Sequence, residues 1–170
     1  ARQKILGICL GANAKTVTKS KSMIGEEIAI NDFLEKNNIQ PIETDLGEYI
    51  IQLRREAPSH IIAPAIHLNA NQVADTFREK HDALEPNRSL NDPGKLLEEA
   101  RLQLREKFLQ ADVGITGANM LIAETGSNVL VTNEGNADLA HTLPRVHIVI
   151  ATLEKVVPTL EDATSILRVL

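Results

Sequence analysis

The stretch GITGANMLIAETGSNVLVTNEGNAD, residues 114–138, decides how this chain folds. It sets four glycines, two glutamates and a cluster of Ser, Thr and Asn between short apolar runs. A plain strand pair would alternate apolar and polar residues and turn once. Here small and polar residues stand where strands should end. Such residues let a backbone approach a ligand closely and offer it hydrogen-bond donors. The apolar runs predict short strands at 112–116, 121–124 and 128–132, with a local antiparallel pair among them, followed by a short helix over 136–143.

Outward from this stretch, helical and strand signals alternate. Towards the N-terminus, 4–10 has the period of a helix, 15–19 (KTVTK) reads as a short strand, and Ser22 caps a helix running to about residue 37. Glu26 and Glu27 sit in that helix's first turn, where its dipole favours negative charge. A second strand is expected over 39–44, with Pro41 marking its start or a sheet edge. A short helix follows at 47–53, then a buried strand at 60–63 ended by Pro64. Residues 71–81 read as a helix and 82–92 as a polar loop. Asp92 caps a long helix with Pro93 at its first position, whose buried stripe would be Leu97, Ala100, Leu104 and Phe108. Towards the C-terminus, 146–151 (VHIVIA) reads as a central strand buried on both faces, and 159–170 as a helix. The alternation predicts an α/β domain: an open, mostly parallel sheet flanked by helices.

Composition narrows the function. A chain of 170 residues, 43% hydrophobic, fits one α/β domain. With aromatics at 2% and no Trp, the core must rest on Leu, Ile, Val and Ala, and base stacking has little to work with. A net charge of −5 also argues against a nucleic-acid partner. The single cysteine, Cys9, excludes an internal disulfide and a cluster built from this chain's own thiolates; it reads as a small core residue. The absence of a long apolar run or leader-like start predicts a cytoplasmic protein without a membrane span. The uncapped start and the helical period persisting to Leu170 suggest a domain cut at both ends from a longer protein.

Three constellations could carry chemistry. Lys19, Ser20, Lys21 and Ser22 lie at a strand-to-helix junction, where two lysines and free N–H groups suit a phosphate or carboxylate; a capped helix beside two solvated lysines is the plainer reading. Gly117, with Glu124, Thr125, Gly126 and Ser127, could close around a ligand, and partial burial of Glu124 would suit proton transfer; a hairpin whose glutamate is neutralised by backbone N–H groups is the other reading. Asn133, Glu134 and Gly135 end a strand before a helix that Asn136 can cap, with Glu134 either a general base or a capping carboxylate. His147 reads as a satisfied core histidine. No zinc, Walker, GxGxxG or GxSxG pattern is present, and no metal site is expected.

The segments KSKSM (19–23) followed by EE (26–27), ETDLGEYIIQL (43–53), PSHIIAPAIH (58–67), GITGANMLIAETGS (114–127), NEGNADL (133–139), LPRVHI (143–148) and VVPTLEDA (156–163) together resemble the lactate-utilization (LUD) domain family, in order and over nearly the whole chain. The resemblance implies a fold similar to the sugar-phosphate isomerase and CoA-transferase-like group. It also implies a bacterial system that oxidises L-lactate to pyruvate, in which the full-length protein carries two 4Fe-4S clusters outside this domain. This chain would hold no cofactor itself, would not turn over alone, and would partner the other subunits of the lactate-utilization system. The positions carried over as a pocket for a small anionic ligand are Lys19, Ser20, Lys21, Gly117, Glu124, Thr125, Gly126, Ser127, Asn133, Glu134 and Gly135. Catalytic residues are not assigned by the resemblance; Glu124 and Glu134 are the candidates. The alternatives are a stand-alone isomerase- or CoA-transferase-like enzyme acting on a small anionic carbonyl compound, and a pure assembly surface.

Overall fold

The structure, a computed structural model, describes residues 1–81 and 88–169. In chain order its elements are α1 (Arg2–Gly11), β1 (Thr16–Lys19), α2 (Met23–Glu27), α3 (Ile30–Glu35), β2 (Gln40–Glu43), α4 (Leu46–Arg54), α5 (Ala70–Lys80) and α6 (Pro93–Leu109). They continue with β3 (Val113–Thr116), β4 (Met120–Ile122), β5 (Ser127–Val129), α7 (Asn136–Thr142), β6 (Val146–Val149), a 3-10 turn (Leu153–Lys155), β7 (Val156–Val157) and α8 (Leu160–Leu167). Residues 82–87 of the expected polar loop lie outside the described residues.

The main sheet is fully parallel, in the order β2-β1-β3-β6. Helices cover both faces, as the alternating pattern required. On one face Ile5, Leu6 and Cys9 of α1 and Ile30 and Leu34 around α3 pack on Val17, Val113 and Ile115. On the other, Tyr49, Phe77, Leu104 and Phe108 from α4, α5 and α6 pack with Ile42 and Ala140. The core is therefore mainly aliphatic, but three of the chain's four aromatic side chains are buried on this second face. A small second sheet, β5-β4-β7, packs under α8 through Met120, Ile122, Val157 and Ala163.

Local chemistry explains the element ends. Ser22 Oγ accepts from Gly25 N and caps α2. Asp92 accepts from Lys95 N, with Pro93 opening α6. Asn69 with Gln72, and Thr159 with Asp162, form reciprocal capping boxes at α5 and α8. Gly114 is needed for a close approach: a Cβ there would stand 1.7 Å from the carbonyl oxygen of Ala140, so only glycine lets α7 lie on β3.

Five expectations are corrected. The helix from Ser22 to about residue 37 is two helices, broken where Ala29 adopts a left-handed φ of 45°. Residues 60–63 form no strand. Ser59 N donates to Pro64 O, and His60 Nδ1 accepts from Ile62 N and Ala63 N, so the backbone donors are used within the loop; Ile61 and Ile62 are exposed. The antiparallel pair β4–β5 belongs to the second sheet rather than the main one. β6 is an edge strand, half-buried at three of four positions; its apolar run reports covered faces, not strand neighbours on both sides. The inward stripe of α6 begins at Leu96, and Leu97 is exposed.

A buried polar chain ties the helices of the second face. Tyr49 Oη lies 2.9 Å from His81 Nε2, and His81 Nδ1 lies 2.8 Å from Glu99 Oε1. Arg88 donates to both oxygens of Glu99 at 2.6 Å. The guanidinium holds the Glu99 carboxyl below its ordinary range, while burial pushes the His81 pKa down. Among the described residues no helix is long and apolar enough to cross a membrane.

Candidate functional site

In a parallel sheet, ligands bind beyond the carboxyl ends of the strands, where crossovers leave in opposite directions. Here β2 lies on one side of β1, and β3 then β6 on the other. The switch point falls between β1 and β3. Lys21, Ser22 and Gly117 stand there: a Cβ on Gly117 would be 3.8 Å from Ser22 Oγ and 4.0 Å from Lys21 O.

A cleft of about 1170 Å³ opens at this edge. Lys21 and the 44–47 turn form its floor, Arg101 and Arg105 of α6 one wall, and Asn133, Glu134 and Asn136 another. Asn136 Nδ2 reaches Thr44 Oγ1 at 3.4 Å and joins two of these walls. The Lys21 ammonium donates to the carbonyl oxygen of Ile62, tying the 57–68 loop across the cleft. Pro64 packs over Gly47, where a Cβ would meet it at 3.1 Å. The cleft thus mixes an apolar wall with the cations Lys21, Arg101 and Arg105, the carboxylates Asp45, Glu98 and Glu134, and amides, as a small-molecule pocket often does.

The expected site residues divide into three groups. Lys21, Asn133 and Glu134 line the cleft, with Gly117 beside Lys21 and Gly135 at the start of α7 with a φ of 77°. Gly135, not Asn136, is the N-cap of α7, and no side chain caps this helix. Lys19 and Ser20 are buried, Lys19 completely. Glu124, Thr125, Gly126 and Ser127 form an exposed hairpin tip of the second sheet. There Thr125 Oγ1 donates to Ser127 Oγ at 2.9 Å and Glu124 accepts from Leu160 N at 3.4 Å; Glu124 lacks the partial burial anticipated for it. None of these four lines the cleft.

Sequence reasoning missed what holds Lys19. Its ammonium lies 2.7 Å from Glu26 Oε1 and 2.9 Å from Glu43 Oε1. Glu43 is 3% exposed and also accepts from Asn31 Nδ2 at 2.5 Å. Burial works against the lysine's charge, but the two glutamates outweigh it and its pKa is raised. Glu48, one turn into α4, is pushed up to about 8, by burial first and then by the charge of Glu43. The available signal was that Lys19 and Glu43 each close a four-residue strand; the parallel register then sets them side by side. His147, by contrast, is half-buried and bonded to Thr116 Oγ1 at 2.8 Å, as a satisfied core histidine should be.

No solved structure matches the chain significantly. Lactate utilization protein B of Bacillus thuringiensis (strain Al Hakam) is 46% identical over 162 residues, covering 95% of this chain and 33% of that protein. The same values hold for lactate utilization protein B 2 of Bacillus mycoides (strain KBAB4) and lactate utilization protein B of Bacillus cereus (strain B4264). The chain therefore spans about a third of the length of the curated relatives it matches. The LUD domain matches residues 1–170, the whole chain, which accordingly belongs to the LUD domain family.

Proposed function

We propose that this chain is the ligand-binding module of a longer subunit that takes part in oxidising L-lactate to pyruvate. The observation that carries the reading is the meeting of Lys21 with Asn133 and Glu134 in one cleft at the carboxyl edge of the sheet. L-lactate and pyruvate are small carboxylates. Their charge suits an ammonium with arginines nearby, and their hydroxyl or carbonyl oxygen suits amide and carboxyl partners. The names of the relatives support lactate as the metabolic context.

Electron transfer by two 4Fe-4S clusters belongs, in this reading, to the rest of the longer protein. Each such cluster takes four thiolates. This chain has Cys9 alone, buried in α1, and among the described residues no group of three or more His, Cys, Asp or Glu could hold a metal. The residues present do not fit a cluster. The partners would be the other subunits of the lactate-utilization system, in the cytoplasm.

Iron and acid-labile sulfide analysis of the anaerobically purified full-length protein tests the reading. About eight irons per chain match two 4Fe-4S clusters. An iron-free protein would overturn the electron-transfer part and favour a stand-alone enzyme, isomerase- or CoA-transferase-like, acting on a small anionic carbonyl compound. For that second reading Glu134, which shares the cleft with Lys21, is the better-placed base than Glu124.

A further inference from the structure

Beside the ligand cleft, across the 57–68 loop, lies a second cavity of about 950 Å³ bordered by Glu26, Asn31, Glu43 and Glu48. Its inner wall has an imbalance of hydrogen-bonding groups. Among the described residues, four buried side-chain polar atoms have no hydrogen-bond partner: Thr18 Oγ1, Asn31 Oδ1, Glu43 Oε2 and Glu48 Oε2. Three of the four are pure acceptors. Native proteins rarely leave such atoms unpaired, because each forfeits its hydration without return. What this corner lacks is a donor.

Glu43 and Glu48 border the same cavity, each with its Oε2 buried and unpartnered, close enough for the charge of Glu43 to raise the pKa of Glu48. Two ionised carboxylates at that separation repel and neither can donate. Lys19 neutralises one of them, from the Glu43 Oε1 side, and its remaining attraction is shared with Glu26. Of the other groups around the pair, Asp45 is acidic, Asn31 is neutral, and Gln52 spends its amide on Glu43 N and Pro41 O; Arg55 and His60 border the same cavity, but among the described residues no ion pair joins either to Glu43 or Glu48. A bridging water would supply a donor but leave the second charge uncompensated. A proton supplies both.

We infer that Glu43 and Glu48 form a proton-binding site, in which Glu48 carries one proton and donates it to Glu43 while Lys19 holds Glu43 from the opposite side. The balance is simple: the carboxylate of Glu48 takes one proton from solvent on folding and returns it when the pair ionises. The inference does not depend on the identity of the ligand in the neighbouring cleft. Its position nevertheless connects it to that cleft, because residues 44–47, which join Glu43 to Glu48, form part of the cleft floor. Any ligand that moves this turn is thermodynamically linked to the proton, and the linkage is reciprocal.

Infrared spectroscopy of the full 170-residue chain, followed from about pH 6 to about pH 10, tests this, since exposed carboxyl groups are ionised throughout that range. The expected result is a protonated-carboxyl band at neutral pH that disappears on alkalinisation. Glu48→Gln should abolish the band with the circular dichroism spectrum unchanged. Glu43→Gln should keep the band but move its loss to lower pH, because the neighbouring negative charge is gone. Absence of the band in the unsubstituted chain, its persistence in Glu48→Gln, or an unmoved titration in Glu43→Gln would each overturn the proposal.

Discussion

The ammonium of Lys19, wholly inaccessible to solvent, stands 2.9 Å from Glu43 Oε1 at the paired ends of β1 and β2. This is a buried ion pair, and the consequence of breaking it follows from desolvation. Lys19→Met leaves the Glu43 carboxylate buried beside Asn31 without a cation. It should cost about 3–5 kcal/mol in urea unfolding, the range for stranding one member of a buried pair. Lys21→Met, at the more open cleft, should cost less than half as much. Equal losses would contradict the assignment of Lys19 to structure and Lys21 to the site.

Glycine positions give a prediction of opposite signs. Gly114→Ala drives a methyl into the carbonyl of Ala140 and should lose about 3 kcal/mol or more, at the upper end of overpacking. Gly7→Ala lies in the interior of α1 with nothing within 4 Å of the new Cβ. It should gain about 0.5–1 kcal/mol from the reduced freedom of the unfolded chain. Thermal melts of the two variants decide the matter.

Much of the fold was legible in the sequence because its signals are local. Ser22 and Asp92 with Pro93 announced helix starts with side chains that do bond the first-turn amides. The short runs TVTK and VGIT announced strands. What failed depended on tertiary neighbours. The apolar run at 60–63 satisfies its backbone within its own loop, and VHIVI lies at an edge despite its hydrophobicity. The site was legible only in part. Lys21 was picked out by its strand-to-helix junction and 133–135 by glycine and polar punctuation, and Lys21, Asn133 and Glu134 line one cleft; the same punctuation selected the hairpin at 124–127, which turns into solvent on another sheet. Glu43 and Glu48 stayed hidden because their importance arises from register, which no single segment encodes.

The polar chain from Tyr49 to Arg88 predicts acid sensitivity. Burial keeps His81 below its ordinary pKa, so the unfolded chain binds a proton that the folded chain does not. Its contribution is present above about pH 6.5 and lost as pH falls through that value towards the lower folded pKa. Glu99, depressed by Arg88, adds a contribution present above its ordinary range and lost as pH falls through its lower folded value. Tyr49→Phe removes one hydrogen bond and leaves His81 Nε2 unpaired, at about 1–3 kcal/mol. Urea midpoints measured across acid pH should fall in both proteins. A Tyr49→Phe variant as stable as the parent would show that the network adds nothing to stability.

Glu48 predicts the reverse dependence. Its folded pKa of about 8 lies above the ordinary value, so the folded chain holds the extra proton. Its stabilising contribution is present below about pH 4.5 and lost as pH rises through about 8. Stability of the unsubstituted chain should therefore decline from neutral to alkaline pH more steeply than that of Glu48→Gln. Parallel curves would contradict this.

The 57–68 loop should be held by Lys21. Replacing the ammonium by Met removes its bond to the Ile62 carbonyl and frees a segment whose isoleucines are already exposed. Limited proteolysis should then cut within 57–68 faster than in the parent, while cleavage elsewhere is unchanged. An identical digestion pattern would show that Pro64 against Gly47 suffices to hold the loop.

The ligand proposed for the cleft at the carboxyl edge of the sheet is a small carboxylate such as L-lactate. Titrating isotope-labelled protein with L-lactate and following its backbone amide resonances tests it most directly. Saturable shifts are expected at Lys21, Thr44 and residues 133–135, lost in Lys21→Met. No saturable shift, or shifts confined to the hairpin at 124–127, would contradict it.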